Sequence, residues 1–160
     1  MTANSAKFSL EGSKALRTVF WGWLIAGVLD ISAAFVSSGL RGRSPLWVLQ
    51  SIASGLLGAG SFKGGLATAA LGTACHFLIA FVACAVFYAA SRSLSFLVQH
   101  FILSGLLYGV AVYAFMNLVV LRIAFQNRIA YPPGVLVTGL LIIMICVGLP
   151  ISLVVHHYSK

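Results

Sequence analysis

Acidic residues are almost missing from this chain of 160 residues, which has two of them, Glu11 and Asp30, against ten Lys and Arg residues. Charged residues of both signs make up 8% of the chain, whereas a soluble domain carries about 25%. Acid–base catalysis by paired carboxylates therefore has too few groups to work with. The sequence also lacks a nucleophile elbow, a phosphate-binding loop and a metal-ligand pair. We expect a protein that is not an enzyme and that holds no cofactor.

Cysteine and histidine are also scarce, and their positions argue against the sites that they most often form. Cys75, Cys84 and Cys146 all lie deep in apolar runs. Cys75 and Cys84 would point to opposite sides of one helix, so we expect neither a disulfide nor a metal site. Buried haem would need two histidines at matching depth. Three of the four histidines lie at predicted helix ends, which leaves His76 alone.

The residues present in excess are apolar, at 61% of the chain. A soluble core this small could not bury them, so the sequence predicts an integral membrane protein. We predict an all-α bundle of four transmembrane helices plus one short re-entrant or interfacial helix. The net charge of +8 is spread singly between apolar segments. This pattern indicates membrane lipids as partners and not nucleic acid, which needs a clustered basic patch.

The apolar segments define one membrane domain, residues 18–155, between two short tails. Residues 1–17 are polar and form a predicted N-terminal tail, and residues 156–160 form a C-terminal tail. The first predicted span covers about 34 Å at about 1.5 Å per residue, which is enough to cross a hydrocarbon core of about 30 Å. The predicted spans are residues 18–40, 66–90, 101–121 and 134–155, and the short helix is residues 46–60.

The short helix reaches only about 22 Å, which is less than the hydrocarbon core requires. Gln50 and Ser54 give it one weakly polar face. Arg43 and Lys63 flank it, and both reach lipid headgroups most easily from the same surface. We therefore predict that residues 46–60 do not cross the membrane. A crossing would make five spans, and that alternative stays open.

Basic residues do not settle the orientation, because four spans would leave five Lys and Arg on each side. The N-terminal tail often dominates insertion, so we place both termini in the cytoplasm. Arg41, Arg43 and Lys63 would then lie together at the opposite surface. We expect these three side chains to contact lipid headgroups.

Polar residues inside the predicted spans lie on ridges of small residues at i, i+4 spacing. Asp30 is on the first ridge, His76 on the second, and Tyr113 and Asn117 on the third. Small residues allow close helix approach in lipid, so we expect the three ridges to face one another. The bulky run 140–145 predicts that the fourth span faces lipid or a partner protein.

Asp30 lies near the middle of its span, where an ionised carboxylate costs at least about 2.5–3.5 kcal/mol. It must therefore be neutral, paired or hydrated, and His76 is the natural partner. One interpretation is a polar clamp that holds the helices in register. The other is a relay for a proton or a substrate.

Several stretches of the chain stand out as motifs: GVLD at 27–30, RSP at 43–45, VLQSIASG at 48–55, ALGTACHFLIA at 70–80 and YGVAVYAFMN at 108–117. From about residue 22 to 150 the chain resembles a family of short proteobacterial-type inner-membrane proteins with no assigned activity. The resemblance implies a multi-pass protein of the bacterial inner membrane, with functional weight on Asp30, Gln50, His76 and Asn117. Where such a family is expected to have a proline after the third span, this chain has Arg122.

These features favour a small non-catalytic accessory or structural subunit. It would pack against a larger membrane complex through its small-residue faces, with lipids and other membrane subunits as partners. The alternative is a small proton-coupled transporter or carrier that works through Asp30 and His76.

Overall fold

The computed structural model describes residues 2–125 and 132–159, and those ranges contain helices and no strand. Four of the helices are long and apolar enough to cross a membrane, so the chain is a multi-pass membrane protein. The predicted all-α bundle with one short extra helix is confirmed. The helices are α1 (Thr2–Gly39), α2 (Pro45–Leu57), α3 (Gly65–Ser93), α4 (Ser95–Gln99), α5 (Phe101–Phe125) and α6 (Pro133–Ser159).

The long helices extend beyond the predicted span limits. Residues 2–17, predicted as a tail, form the start of α1, and residues 156–159 continue α6. Neither stretch contains a proline, so nothing in the backbone ends the helix at the membrane surface. Arg122 stands where a proline is expected, and this concerns the shape of the connector that follows α5. The connector, residues 126–131, lies outside the described residues.

Helices α1 and α3 pack side by side in antiparallel directions. Gly22 of α1 lies against the Sγ of Cys84 in α3. Gly27, which comes later in α1, lies against the ring of Phe77, which comes earlier in α3. The end of α1 and the start of α3 therefore lie at the same end of the bundle. Since α2 connects these two points, it leaves and returns on one side. This geometry agrees with the prediction that residues 46–60 do not cross, which stays a prediction until the topology is measured.

The boundaries of α2 follow from its sequence. The Ser44 Oγ accepts a hydrogen bond from the Trp47 N–H at 3.2 Å, and Pro45 occupies the first turn. Gly58 ends the helix with φ +64°, a conformation that glycine adopts without strain. A short 3₁₀ segment, Gly58–Lys63, then leads into α3.

Helix α2 lies across the early turns of α3 and reaches the end of α5. The carbonyl of Leu49 occupies the place that a Cβ at Gly72 would take, so the two backbones are in direct contact. A Cβ at Gly55 would lie 3.2 Å from the Ala124 side chain. The short helix therefore joins α3 to α5 at one end of the bundle.

Helix α6 packs on both α1 and α5, so one side of the fourth span faces protein, while no residue of its bulky run 140–145 is buried. That the span faces lipid or a partner protein more than the polar residues stays a prediction. Val147, Ile151 and Val155 are buried and form a core with residues of α1 and α3. On its other side, Gly148 of α6 packs against the backbone of Gly105 in α5. The small and apolar residues that follow the bulky run 140–145 determine this position.

The packing of α5 on α6 changes the arrangement of the ridges. The Gly105 position abuts Gly148, and Gly109 abuts the Met144 backbone. The third ridge therefore faces α6 and not the ridges of α1 and α3. Only the first two ridges meet as expected.

Candidate functional site

Asp30 and His76 face each other where α1 packs against α3. The Asp30 Oδ2 lies 3.9 Å from the His76 Nδ1, which is ion-pair range but longer than a hydrogen bond. The His76 side chain is 11% exposed and the Asp30 side chain 24%. The structure thus brings together the two residues that the ridge spacing selects.

The other nitrogen of His76 fixes the ring. Its Nε2 lies 2.9 Å from the Gly27 carbonyl oxygen. A carbonyl can only accept, so Nε2 carries a hydrogen and Nδ1 faces Asp30. The pair is then either a protonated acid beside a neutral ring or a carboxylate beside an imidazolium. Both forms have no net charge, which suits a low-dielectric position.

Helix α6 contributes a third side to this region. Cys146 lies in the part of α6 that packs on α1. It belongs to a π-helical turn, Met144–Gly148, and such turns are frequent at functional sites. The described residues contain no group of three or more His, Cys, Asp or Glu side chains that could hold a metal ion. The Asp30–His76 pair itself can share one proton between the carboxyl and the imidazole.

Tyr113 and Asn117 do not join this pair. The Tyr113 hydroxyl donates to the Leu136 carbonyl of α6 at 2.8 Å. The Asn117 Nδ2 donates to the Tyr113 carbonyl of its own helix at 2.9 Å. Because α5 packs on α6, the predicted three-helix polar cluster is a two-helix pair in the structure.

Gln50 and Ser54 are buried at the contact of α2 with α3. The Gln50 Nε2 donates to the Gly65 carbonyl at 3.0 Å and so ties α2 to the start of α3. The Ser54 Oγ donates to the Ser51 carbonyl within α2 at 2.6 Å. Both polar groups have partners, and Gln50 holds the short helix in place.

Arg41, Arg43 and Lys63 are exposed at the α2 end of the bundle. The Arg43 guanidinium lies 4.6 Å from the ring centroid of Trp47, a cation–π distance. The Trp47 ring in turn stacks on Phe62 at 5.7 Å between centroids. This arrangement suits basic side chains at a lipid surface.

Other polar side chains make similar bonds between helices that the ridge spacing does not predict. The Trp23 Nε1 donates to the Phe77 carbonyl at 2.7 Å, and the Tyr108 hydroxyl donates to the Ala83 carbonyl at 2.6 Å. Both are aromatic residues with a polar tip inside an apolar run, where a buried donor needs an acceptor. A Trp or Tyr inside an apolar run is therefore the sequence signal that predicts such a bond.

No protein-family model, curated protein or solved structure matches the chain. The resemblance to short inner-membrane proteins therefore stays a prediction.

Proposed function

We propose that the protein is a non-catalytic structural or accessory subunit of a membrane assembly in the bacterial inner membrane. The bacterial location depends on the sequence resemblance alone. The structural role is supported by the way interior polar side chains are used. Six of them bond to main-chain carbonyls of another segment, namely Trp23, Gln50, His76, Tyr108, Tyr113 and His156.

These bonds favour a fixed bundle over a moving one. Hydrogen bonds between membrane helices contribute about 0.6 kcal/mol each on average, so the four that join two spans, from Trp23, His76, Tyr108 and Tyr113, give on the order of 2 kcal/mol. A carrier has to break such ties to expose its site to alternate sides. A subunit that positions other proteins gains from keeping them.

The small-residue ridges are not available to a partner, in contrast to the sequence-based expectation. Gly22 and Gly72 are covered by Cys84 and Leu49, and Gly105 is covered by Gly148. A partner protein would therefore contact bulky outer faces. Helix α5 buries the smallest share of its span, and its exposed residues Leu103, Leu107 and Val110 form a stripe along one side.

Photo-crosslinking in native membranes tests this role. A photoreactive amino acid at Leu103 or Leu107 is expected to capture one defined membrane protein of a different sequence. The matched control is Val36 of α1, which is 65% exposed. Equal, diffuse labelling at all three positions, or co-purification of only this chain in mild detergent, would contradict the accessory role.

A second candidate function is a proton-coupled carrier, favoured by the Asp30–His76 geometry alone. The Nδ1 of His76 faces the Asp30 carboxyl, so one proton can pass between the two groups. Purified protein in proteoliposomes with an internal pH dye tests this. Proton movement that disappears in Asp30→Asn, while the protein stays folded, would favour the carrier over the structural role.

A further inference from the structure

A cleft of about 500 Å³ separates α3 from α5. Leu78, Val82 and Val86 line it on α3, and Val112 and Met116 are among its residues on α5. The cleft opens sideways from within the spans, so the molecules that reach it are those dissolved in the hydrocarbon core. Its apolar walls call for an apolar occupant.

Tyr108 closes one end of the cleft. Its ring packs on Phe87 with centroids 4.9 Å apart, and its hydroxyl donates to the Ala83 carbonyl. The two helices are joined at this level through the Tyr108 side chain. Because that hydroxyl already has a partner, the cleft has no free side-chain hydroxyl to offer a ligand.

The dimensions of the cleft match one hydrocarbon chain. Its lining on α5 runs from Tyr108 to Val120, a length of about 18 Å at about 1.5 Å per residue. Half of a hydrocarbon core of about 30 Å is about 15 Å, the depth of one leaflet. A helix about 10–12 Å wide would fit for only about one turn in this volume. A partner helix is therefore too wide.

A basic residue follows the far end of the cleft in sequence, outside its lining. Met116 and Val120 line it within a π-helical turn of α5, and Arg122 follows two residues later with an exposed side chain. The chain has two acidic residues for ten basic ones, so most of its cations cannot be neutralised internally. A phosphate at the headgroup level is the complementary group.

From this juxtaposition we infer that the cleft binds one acyl chain of an anionic phospholipid. The terminal methyl would lie at Tyr108 and the phosphate at Arg122. The second acyl chain stays in the surrounding bilayer. The inference does not depend on the proposed accessory role, because it concerns a lipid and not a protein partner.

Photolabelling with a lipid probe tests the site. The full chain is reconstituted in phosphatidylcholine vesicles that contain a minor share of phosphatidylglycerol with a diazirine at the end of one acyl chain. Labelled peptides are expected to concentrate at Tyr108 and Val112. Ala111→Trp, which fills the cleft, should remove this labelling, while Val110→Trp on the outer stripe should leave it unchanged.

The charge at the mouth of the cleft is tested separately. Arg122→Gln should reduce the preference for the phosphatidylglycerol probe over a phosphatidylcholine probe about fivefold, which corresponds to about 1 kcal/mol for one basic residue at the membrane surface. Arg92→Gln is the control, because Arg92 lies in the last turn of α3, at the other end of the bundle from Arg122. This variant should leave the preference for the phosphatidylglycerol probe unchanged. Even labelling around α5, an unchanged preference in Arg122→Gln, or crosslinks from the cleft to a second copy of the chain would each overturn the proposal.

Discussion

The Nδ1 of His76 is aimed at Asp30 because its Nε2 is held by the Gly27 carbonyl, one helical turn before Asp30 in α1. One imidazole thus contacts a main-chain and a side-chain group of the same turn. The ring cannot rotate toward a different partner without losing the Gly27 bond. The Asp30–His76 pair therefore helps to hold α1 against α3.

The short helix α2 lies next to this pair. Gly72, against which Leu49 of α2 packs, is one turn before His76 in α3. The chain between the first two spans thus folds back onto the helix that carries the histidine. Changes in α2 packing are therefore expected to reach the Asp30–His76 contact through α3.

The first prediction concerns coupling between the two residues. Asp30→Asn and His76→Gln should each lower stability by about 1–3 kcal/mol, the cost of an unsatisfied buried polar group. The double variant should lose less than the two single losses combined, because the second change removes a partner that is already missing. Thermal unfolding in mild detergent measures all three proteins. His157→Gln, at an exposed position, is the control and should behave as the unchanged protein. Strictly additive losses would show that the pair is not a unit.

Much of the architecture can be predicted from length and hydropathy. The four spans are long apolar runs, and residues 46–60 are too short to cross. The Asp30–His76 pair follows from small residues at i, i+4 spacing on two neighbouring spans. These signals are local, and α1 and α3 pack antiparallel because the segment 40–64 between them leaves and returns at one end of the bundle.

The position of α6 could not be predicted in the same way. A π-helical turn at Met144–Gly148 inserts extra residues into the helical repeat, so the face of Ile151 and Val155 does not follow from a constant rotation of about 100° per residue. Asn117 lies in the corresponding turn of α5, Met116–Val120. Asn117 is separated from the Asp30–His76 pair because α5 packs on α6, and its Nδ2 donates to Tyr113 one turn earlier in the same helix.

The close approach of α2 and α3 gives a second prediction. Gly72→Ala places a Cβ where the Leu49 carbonyl lies, and backbone cannot yield as a flexible side chain can. Overpacking of this kind typically costs about 1–3 kcal/mol. The matched control is Gly60→Ala, since a Cβ there meets nothing within 4 Å. Equal unfolding temperatures for the two variants would mean that α2 is not packed as described.

A third prediction concerns the topology of the short helix. After replacement of the three native cysteines, single cysteines at Ser44 and Lys63 should react with an impermeant thiol reagent from the same side of the membrane. Both positions are exposed, whereas Ser61 is fully buried and would report poorly. A cysteine at Ser95, between α3 and α5, should react from the other side. Labelling of Ser44 and Lys63 from opposite sides would establish five spans.

The last prediction separates Tyr113 from the Asp30–His76 pair. Tyr113→Phe removes the bond to the Leu136 carbonyl and should cost about 0.6–1.7 kcal/mol, the range for hydrogen bonds between membrane helices. Because Tyr113 connects α5 to α6 and shares no hydrogen bond with the pair, its loss should add to that of Asp30→Asn within about 0.5 kcal/mol. The same unfolding measurement that finds coupling between Asp30 and His76 should therefore find none between Asp30 and Tyr113. Coupling of similar size in both cycles would instead mean that the three polar residues act as one cluster, and the α5–α6 packing would have to change to bring them together.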